Sequence, residues 1–160
     1  MKDQITPCLW FDNQAEEAVN FYTSIFNNST IENVSLYQKE GYEIHGQAEG
    51  TVLAISFRIN GQPFNALNGG PVFKFSEAIS FQIFCETQEE IDEYWGRLAE
   101  GGHESNCGWL KDKYGISWQI IPTILPKLMS DPNKSGNVMK AFLQMKKFDI
   151  EKLIQAQNSM

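Results

Sequence analysis

Stretches of β-prone apolar residues alternate along the chain with stretches whose apolar positions fall at helical spacing, and this alternation predicts the elements. Gln4 to Phe11 (QITPCLWF) predicts a strand. Asp12-Asn13-Gln14 supplies capping side chains for a helix from Ala15 to Phe26, whose apolar residues sit at Ala15, Ala18, Val19, Tyr22, Ile25 and Phe26. A strand is expected from Ser29 to Gln38, and a polar, glycine-bearing loop from Lys39 to Gly50. Thr51 to Ile59 and Gln62 to Leu67 read as two strands joined by a tight Asn60-Gly61 turn, and Asn68-Gly69-Gly70-Pro71 breaks the second.

The pattern then starts again. Glu77 to Glu86 predicts a strand, and Thr87 caps a helix from Gln88 to Ala99 that opens on Glu89 and Glu90 and stops at Gly101-Gly102. Short strands follow around Trp109 and from Ser117 to Ile121, joined near Lys113-Tyr114-Gly115. From Pro122 only helical spacing remains: Ile124 to Met129, Lys134 to Met145 and Ile150 to Gln155. Met129, Met139, Met145, Phe142, Leu143 and Leu153 give these helices apolar faces, to pack on the core or on a second subunit.

The restart is an internal repeat. A shift of 73 residues aligns Phe11 with Phe84, Glu16 with Glu89, Tyr22 with Trp95 and Ile25 with Leu98; a shift of 54 aligns Gly61–Leu67 with Gly115–Ile121 and so Asn65 with Gln119. The expected fold class is α+β: two paired βαβββ modules, at about 4–70 and 77–122, with sheets facing each other across a cleft, then a helical tail. The expected domains are 1–122 and a C-terminal extension, 123–160.

Four segments carry a resemblance: ITPCLWFDNQAEEAVNFYTSIF, FNALNGGPVFKFSEAISFQIFCE, CGWLKDKYGISWQIIP and DPNKSGNVMKAFLQMKKFDIEKLIQA. In this order they resemble the PhnB-like family of the vicinal oxygen chelate superfamily (glyoxalase, bleomycin resistance, dioxygenase), whose members often bear the name 3-demethylubiquinone-9 3-methyltransferase. The resemblance implies the duplicated fold and usually a homodimer. It does not imply one reaction, because a fold hosts many.

Metal-dependent members of that superfamily take ligands from the first and last strand of each module. By the resemblance, these positions fall on Thr6 or Pro7, Asn65, Ser80 and Gln119. Proline offers no ligand, neutral amides are weak ones, and the only histidines, His45 and His103, lie in expected loops, so no catalytic metal is expected. The methyltransferase name is testable too: neither Asn68-Gly69-Gly70-Pro71 nor Gly101-Gly102 joins a strand to a helix as an S-adenosylmethionine turn would, so no cofactor is expected. What remains is a pocket for a small molecule. Trp10, Phe84, Trp109 and Trp118 are candidate aromatic walls, or simply core, and Asn65, Ser80, Gln82 and Gln119 are candidate polar anchors. Cys8, on the first strand, is a candidate ligand contact and the one candidate nucleophile, though no base is evident beside it; Cys85 reads as core and Cys107 as pocket wall. Binding without a metal is the favoured expectation, with a glyoxalase-like lyase or isomerase, or the named transferase, as the alternative.

Composition narrows the classes. A net charge of −7, with 13 Lys plus Arg and no basic run, excludes a nucleic-acid partner, because phosphate contact needs clustered positive charge. No apolar stretch reaches the roughly 18 to 20 residues of a membrane helix. The start Met1-Lys2-Asp3-Gln4 does not read as a secretory signal, and three cysteines without CxxC spacing suit reduced thiols, so a cytoplasmic protein is expected.

Overall fold

A computed structural model describes residues 5–159. The chain divides into two compact units, Met1–Lys74 and Phe75–Met160.

In the first unit the elements are β1 (Cys8–Phe11), α1 (Ala15–Ile25), β2 (Thr30–Leu36), a single helical turn α2 (Tyr42–His45), β3 (Val52–Ile59) and β4 (Gln62–Asn68). The sheet order is β1-β4-β3-β2, with β1 parallel to β4 and the other pairs antiparallel. Alternation puts Leu9, Phe11, Ile55, Phe57, Phe64 and Ala66 on one face, where α1 covers them with Ala15, Ala18, Val19, Tyr22 and Ile25. The β3–β4 turn is as expected: Asn60 and Gly61 both have positive φ (48° and 80°), the signature of a two-residue primed turn.

The first helix is not capped as expected. Gln14 occupies the N-cap position and makes no side-chain cap. Instead the Ala15 N–H donates to Oδ1 of Asn68, 2.8 Å away on β4, while Asn68 Nδ2 donates to the Val52 carbonyl at 3.0 Å. Asn68, expected to break β4, is its buried last residue and anchors both the helix start and the neighbouring strand. The expected start of β1 at Gln4 lies outside the described residues, and the strand itself begins at Cys8.

The second unit repeats the topology with β5 (Ser80–Cys85), α3 (Gln88–Ala99), β6 (His103–Glu104), β7 (Trp109–Lys111) and β8 (Ser117–Pro122), in the order β5-β8-β7-β6. Thr87 closes a full capping box with Glu90 at the start of α3. Helix α3 buries Ile91, Trp95 and Leu98, and the Trp95 indole N–H donates to Glu104 Oε1 at 2.7 Å, which ties the helix to β6. The βαβββ repeat calls for a strand between α3 and β7, and β6 supplies it. The local pattern places none there because two residues are too few to show a period, so His103, expected in a loop, lies on this strand.

The tail, α4 (Leu125–Met129), α5 (Ser135–Phe142) and α6 (Ile150–Asn158), belongs to this unit. Its own core is Leu128, Val138, Phe148 and Leu153. Backbone N–H groups of Cys107 and Gly108 donate to the carbonyls of Met145 and Lys146 at 2.8 and 2.7 Å. Gln88 holds the tail from the other side, donating to the Phe148 carbonyl and accepting from the Ile150 N–H.

The repeat carries a slip that the single shift of 73 misses. The connection from β1 to α1 has three residues, Asp12-Asn13-Gln14; that from β5 to α3 has two, Glu86-Thr87. The helices correspond at 73, but the strands correspond at 74. In register, Cys8 pairs with Asn65 and Gln82 with Gln119, so Cys8 corresponds to Gln82 and Trp10 to Phe84. Phe84 is therefore not the counterpart of buried Phe11. A one-residue slip in a strand exchanges its faces, and Phe84 is 55% exposed.

Candidate functional site

Each sheet has one face covered by its helix and one face that the helix leaves open. On the open face of the first module, Cys8, Asn65, Ser56 and Asn33 form one register row across β1, β4, β3 and β2. Ser56 Oγ donates to Asn65 Oδ1 at 2.8 Å, so the amide oxygen is already an acceptor. Trp10, two residues along from Cys8, is half-buried under its own module's loop. Its indole N–H donates to the Gly70 carbonyl at 2.9 Å, and its ring meets Phe73 edge-on at 4.9 Å. Gly69 is required there: a Cβ would lie 2.2 Å from the indole. The Cys8 thiol is exposed, yet partial burial pushes it above the ordinary thiol range, which favours the neutral, unreactive form.

On the second module, Ser80, Gln82 and Phe84 share the open face of β5, as period two requires. Gln82, Gln119 and Trp109 form a row across β5, β8 and β7. Gln119 is engaged at both ends of its amide: Nε2 donates to Ser80 Oγ at 2.8 Å, and Oε1 accepts from Gln82 Nε2 at 3.4 Å. The next row is Ser80, Ser117, Lys111 and His103. Lys111 Nζ donates to the Glu77 carboxylate, and this hydrogen bond holds Glu77 below the usual carboxylate range.

Trp118 does not join this face. It points to the core, 3% exposed, against Phe81, and its indole N–H donates to Asp112 Oδ2 at 2.8 Å. Odd-numbered residues of β8 face outward and even-numbered ones inward, so Gln119 and Trp118 cannot share a wall. Cys85 is buried core, its thiol pushed up to about 11 by desolvation. Cys107 adopts a positive φ of 58° beside the tail.

Sequence reasoning missed Ser56, Ser117 and Lys111. The Asn60-Gly61 turn fixes the β3–β4 register and so pairs Ser56 with Asn65. Once Gln119 is placed on the open face, period two brings Ser117 with it, and the β7–β8 pairing sets Lys111 opposite Ser117.

Residues 3–121 match the family described as 3-demethylubiquinone-9 3-methyltransferase. The chain belongs to that family. Among solved structures it is similar to a PhnB protein of Bacillus cereus bearing the same family name, with 39% identity and a TM-score of 0.67, covering 76% of this chain and 100% of that one. A protein from Pseudomonas aeruginosa shares the fold at 17% identity and a TM-score of 0.59, covering 74% of this chain and 96% of that one. So does the fosfomycin resistance protein FosX of Listeria monocytogenes, at 16% identity and a TM-score of 0.56, covering 82% and 100%. No curated protein matches the chain. It is thus a PhnB-like protein of the vicinal oxygen chelate superfamily.

The residues present do not fit the groups this membership brings to mind. One FosX structure holds Mn(II). Here the last-strand positions carry Asn65 and Gln119, neutral amides already hydrogen-bonded within their own modules, which bring neither the charge nor the imidazole nitrogen that holds a catalytic transition-metal ion tightly. Among the described residues no three His, Cys, Asp or Glu side chains come together to hold an ion. S-adenosylmethionine fares no better. The strand-to-helix turns that open α1, α3 and α4 contain no glycine, and Gly41 leads only into the four residues of α2. No helix among the described residues is long and apolar enough to cross a membrane.

Proposed function

We propose that this PhnB-like protein binds a small aromatic or apolar molecule on the open faces of its sheets, oriented by amide and hydroxyl groups and without a catalytic metal. The observation that carries this reading is the state of Gln119. Its amide is held at both ends by Ser80 and Gln82, beside Trp109 in the same row and Phe84 on the neighbouring strand. A fixed amide next to an aromatic surface suits an organic ligand, which needs orientation more than charge. The first module offers the corresponding groups Cys8, Trp10 and Asn65. Cys8 serves as a contact, since a thiol pushed up by burial is a poor nucleophile. Three free cysteines support a reducing, cytoplasmic setting.

Screening aromatic fragments by NMR against the isotope-labelled protein tests the reading. Side-chain amide signals of Gln82 and Gln119 and the Trp109 indole signal should move together with at least one fragment. Fragments that bind only elsewhere, or none that bind, would overturn it.

A further inference from the structure

A cavity of about 210 Å³ opens within the second module, lined by Glu77, His103, Ser105, Trp109, Lys111 and Ser117. Ser117 is 2% exposed, and its Oγ is a buried polar atom with no hydrogen-bond partner. Buried hydroxyls are normally satisfied, so an orphan beside a cavity marks a place where a ligand atom would be welcome. The Lys111 ammonium has three N–H donors, one of them on Glu77, whose side chain is 65% exposed at the edge of the group. Ser105 adds another hydroxyl. Glu77 is the only carboxylate in the lining, so donors outnumber charged acceptors. Trp109 supplies a flat apolar wall.

We propose that this cavity binds a small aromatic carboxylate, its ring against Trp109 and its carboxylate taking hydrogen bonds from Lys111 and Ser117. The volume falls below the roughly 300 Å³ at which drug-sized pockets begin, so it suits a single ring rather than a fused system. The inference rests on the reading that the open face takes a small organic molecule, and it adds the charge of that molecule.

The test is an NMR titration with benzoate and, in parallel, with uncharged benzyl alcohol. Benzoate should move the Trp109 indole signal and bind at least tenfold more tightly than the alcohol. Lys111→Met should weaken benzoate about tenfold and leave the alcohol unchanged. Ser117→Ala should weaken benzoate severalfold while leaving thermal stability equal or higher, because it removes an unsatisfied buried hydroxyl; that combination separates ligand contact from damage to the fold. Equal affinity for the two probes, or benzoate binding indifferent to Lys111→Met, would overturn the carboxylate while leaving the general binding reading intact. If neither probe moves Trp109, the cavity is not the site, and the fragment screen alone then decides the broader reading.

Discussion

Gln119 Nε2 donates to Ser80 Oγ at 2.8 Å across the parallel strands β5 and β8. That bond, with the weaker one from Gln82 on the other side, fixes which way the amide points on the open face. Ser80→Ala removes the acceptor without opening a large void. The amide is then free to rotate, and any ligand it orients should bind about three- to tenfold more weakly, while stability changes by less than about 1 kcal/mol for a part-buried neutral hydrogen bond. Calorimetric titration with a fragment from the screen, alongside thermal denaturation, checks both halves.

The opposite balance is expected at Asp112. This carboxylate is 3% exposed and accepts from the Trp118 indole and from the N–H groups of Tyr114 and Ile116, at 2.8, 2.9 and 3.1 Å. It holds the β7–β8 turn closed and keeps Trp118 in the core. Asp112→Ala leaves these donors without that acceptor, so a loss of about 3 kcal/mol or more in unfolding free energy is expected. Urea denaturation measures it. Retention of wild-type stability would show that the turn does not depend on this carboxylate.

Gly108 packs closely against the tail, and its N–H donates to the Lys146 carbonyl. Its φ is +78°, and a Cβ there would meet Phe148 at 2.4 Å and the Ile120 carbonyl at 2.7 Å. Gly108→Ala adds strain and pushes against Phe148, so it should cost about 3 kcal/mol, near 10 °C in Tm. Proteolysis should then cut first between Met145 and Asp149, the segment that Cys107 and Gly108 hold by backbone hydrogen bonds.

The three thiols should separate by reactivity. Cys85, buried and pushed up to about 11, should resist alkylation in the folded state. Cys8 should react, but more slowly at neutral pH than a free thiol, with a rate that climbs as the pH rises, since only the thiolate attacks. The linkage has a definite sign. Unfolding lets Cys85 ionise at its lower, ordinary value, so the folded state loses stability as the pH climbs from that value towards about 11. Alkylation followed by peptide mass spectrometry at several pH values checks the order. Fast, selective modification of Cys8 at neutral pH would instead favour a nucleophilic role.

Much of the architecture could be read from local chemistry. The helical period found α1 and α3, the Thr87–Glu90 box marked the start of α3, and Asn60-Gly61 fixed a hairpin and its register. What was not legible depended on partners distant in sequence. The cap of α1 comes from Asn68, 53 residues away, in place of Asp12 or Asn13. Facing was the harder part. A helix tolerates a slip of one residue with a rotation of about 100°, but a strand turns over completely. The one-residue difference between the two strand-to-helix turns therefore misaligned Phe84 while leaving the helices aligned. Trp118 stayed open between aromatic wall and core for a related reason: only its place between Ser117 and Gln119 shows that it faces inward.

Asn65 and Gln119 are proposed to orient an organic molecule and to hold no divalent ion. Calorimetric titration of protein purified without chelator with Mn(II), Zn(II) and Ni(II) measures this directly. No saturable one-to-one binding tighter than about millimolar is expected. Stoichiometric uptake of any of these ions, lost on Asn65→Ala or Gln119→Ala, would contradict it.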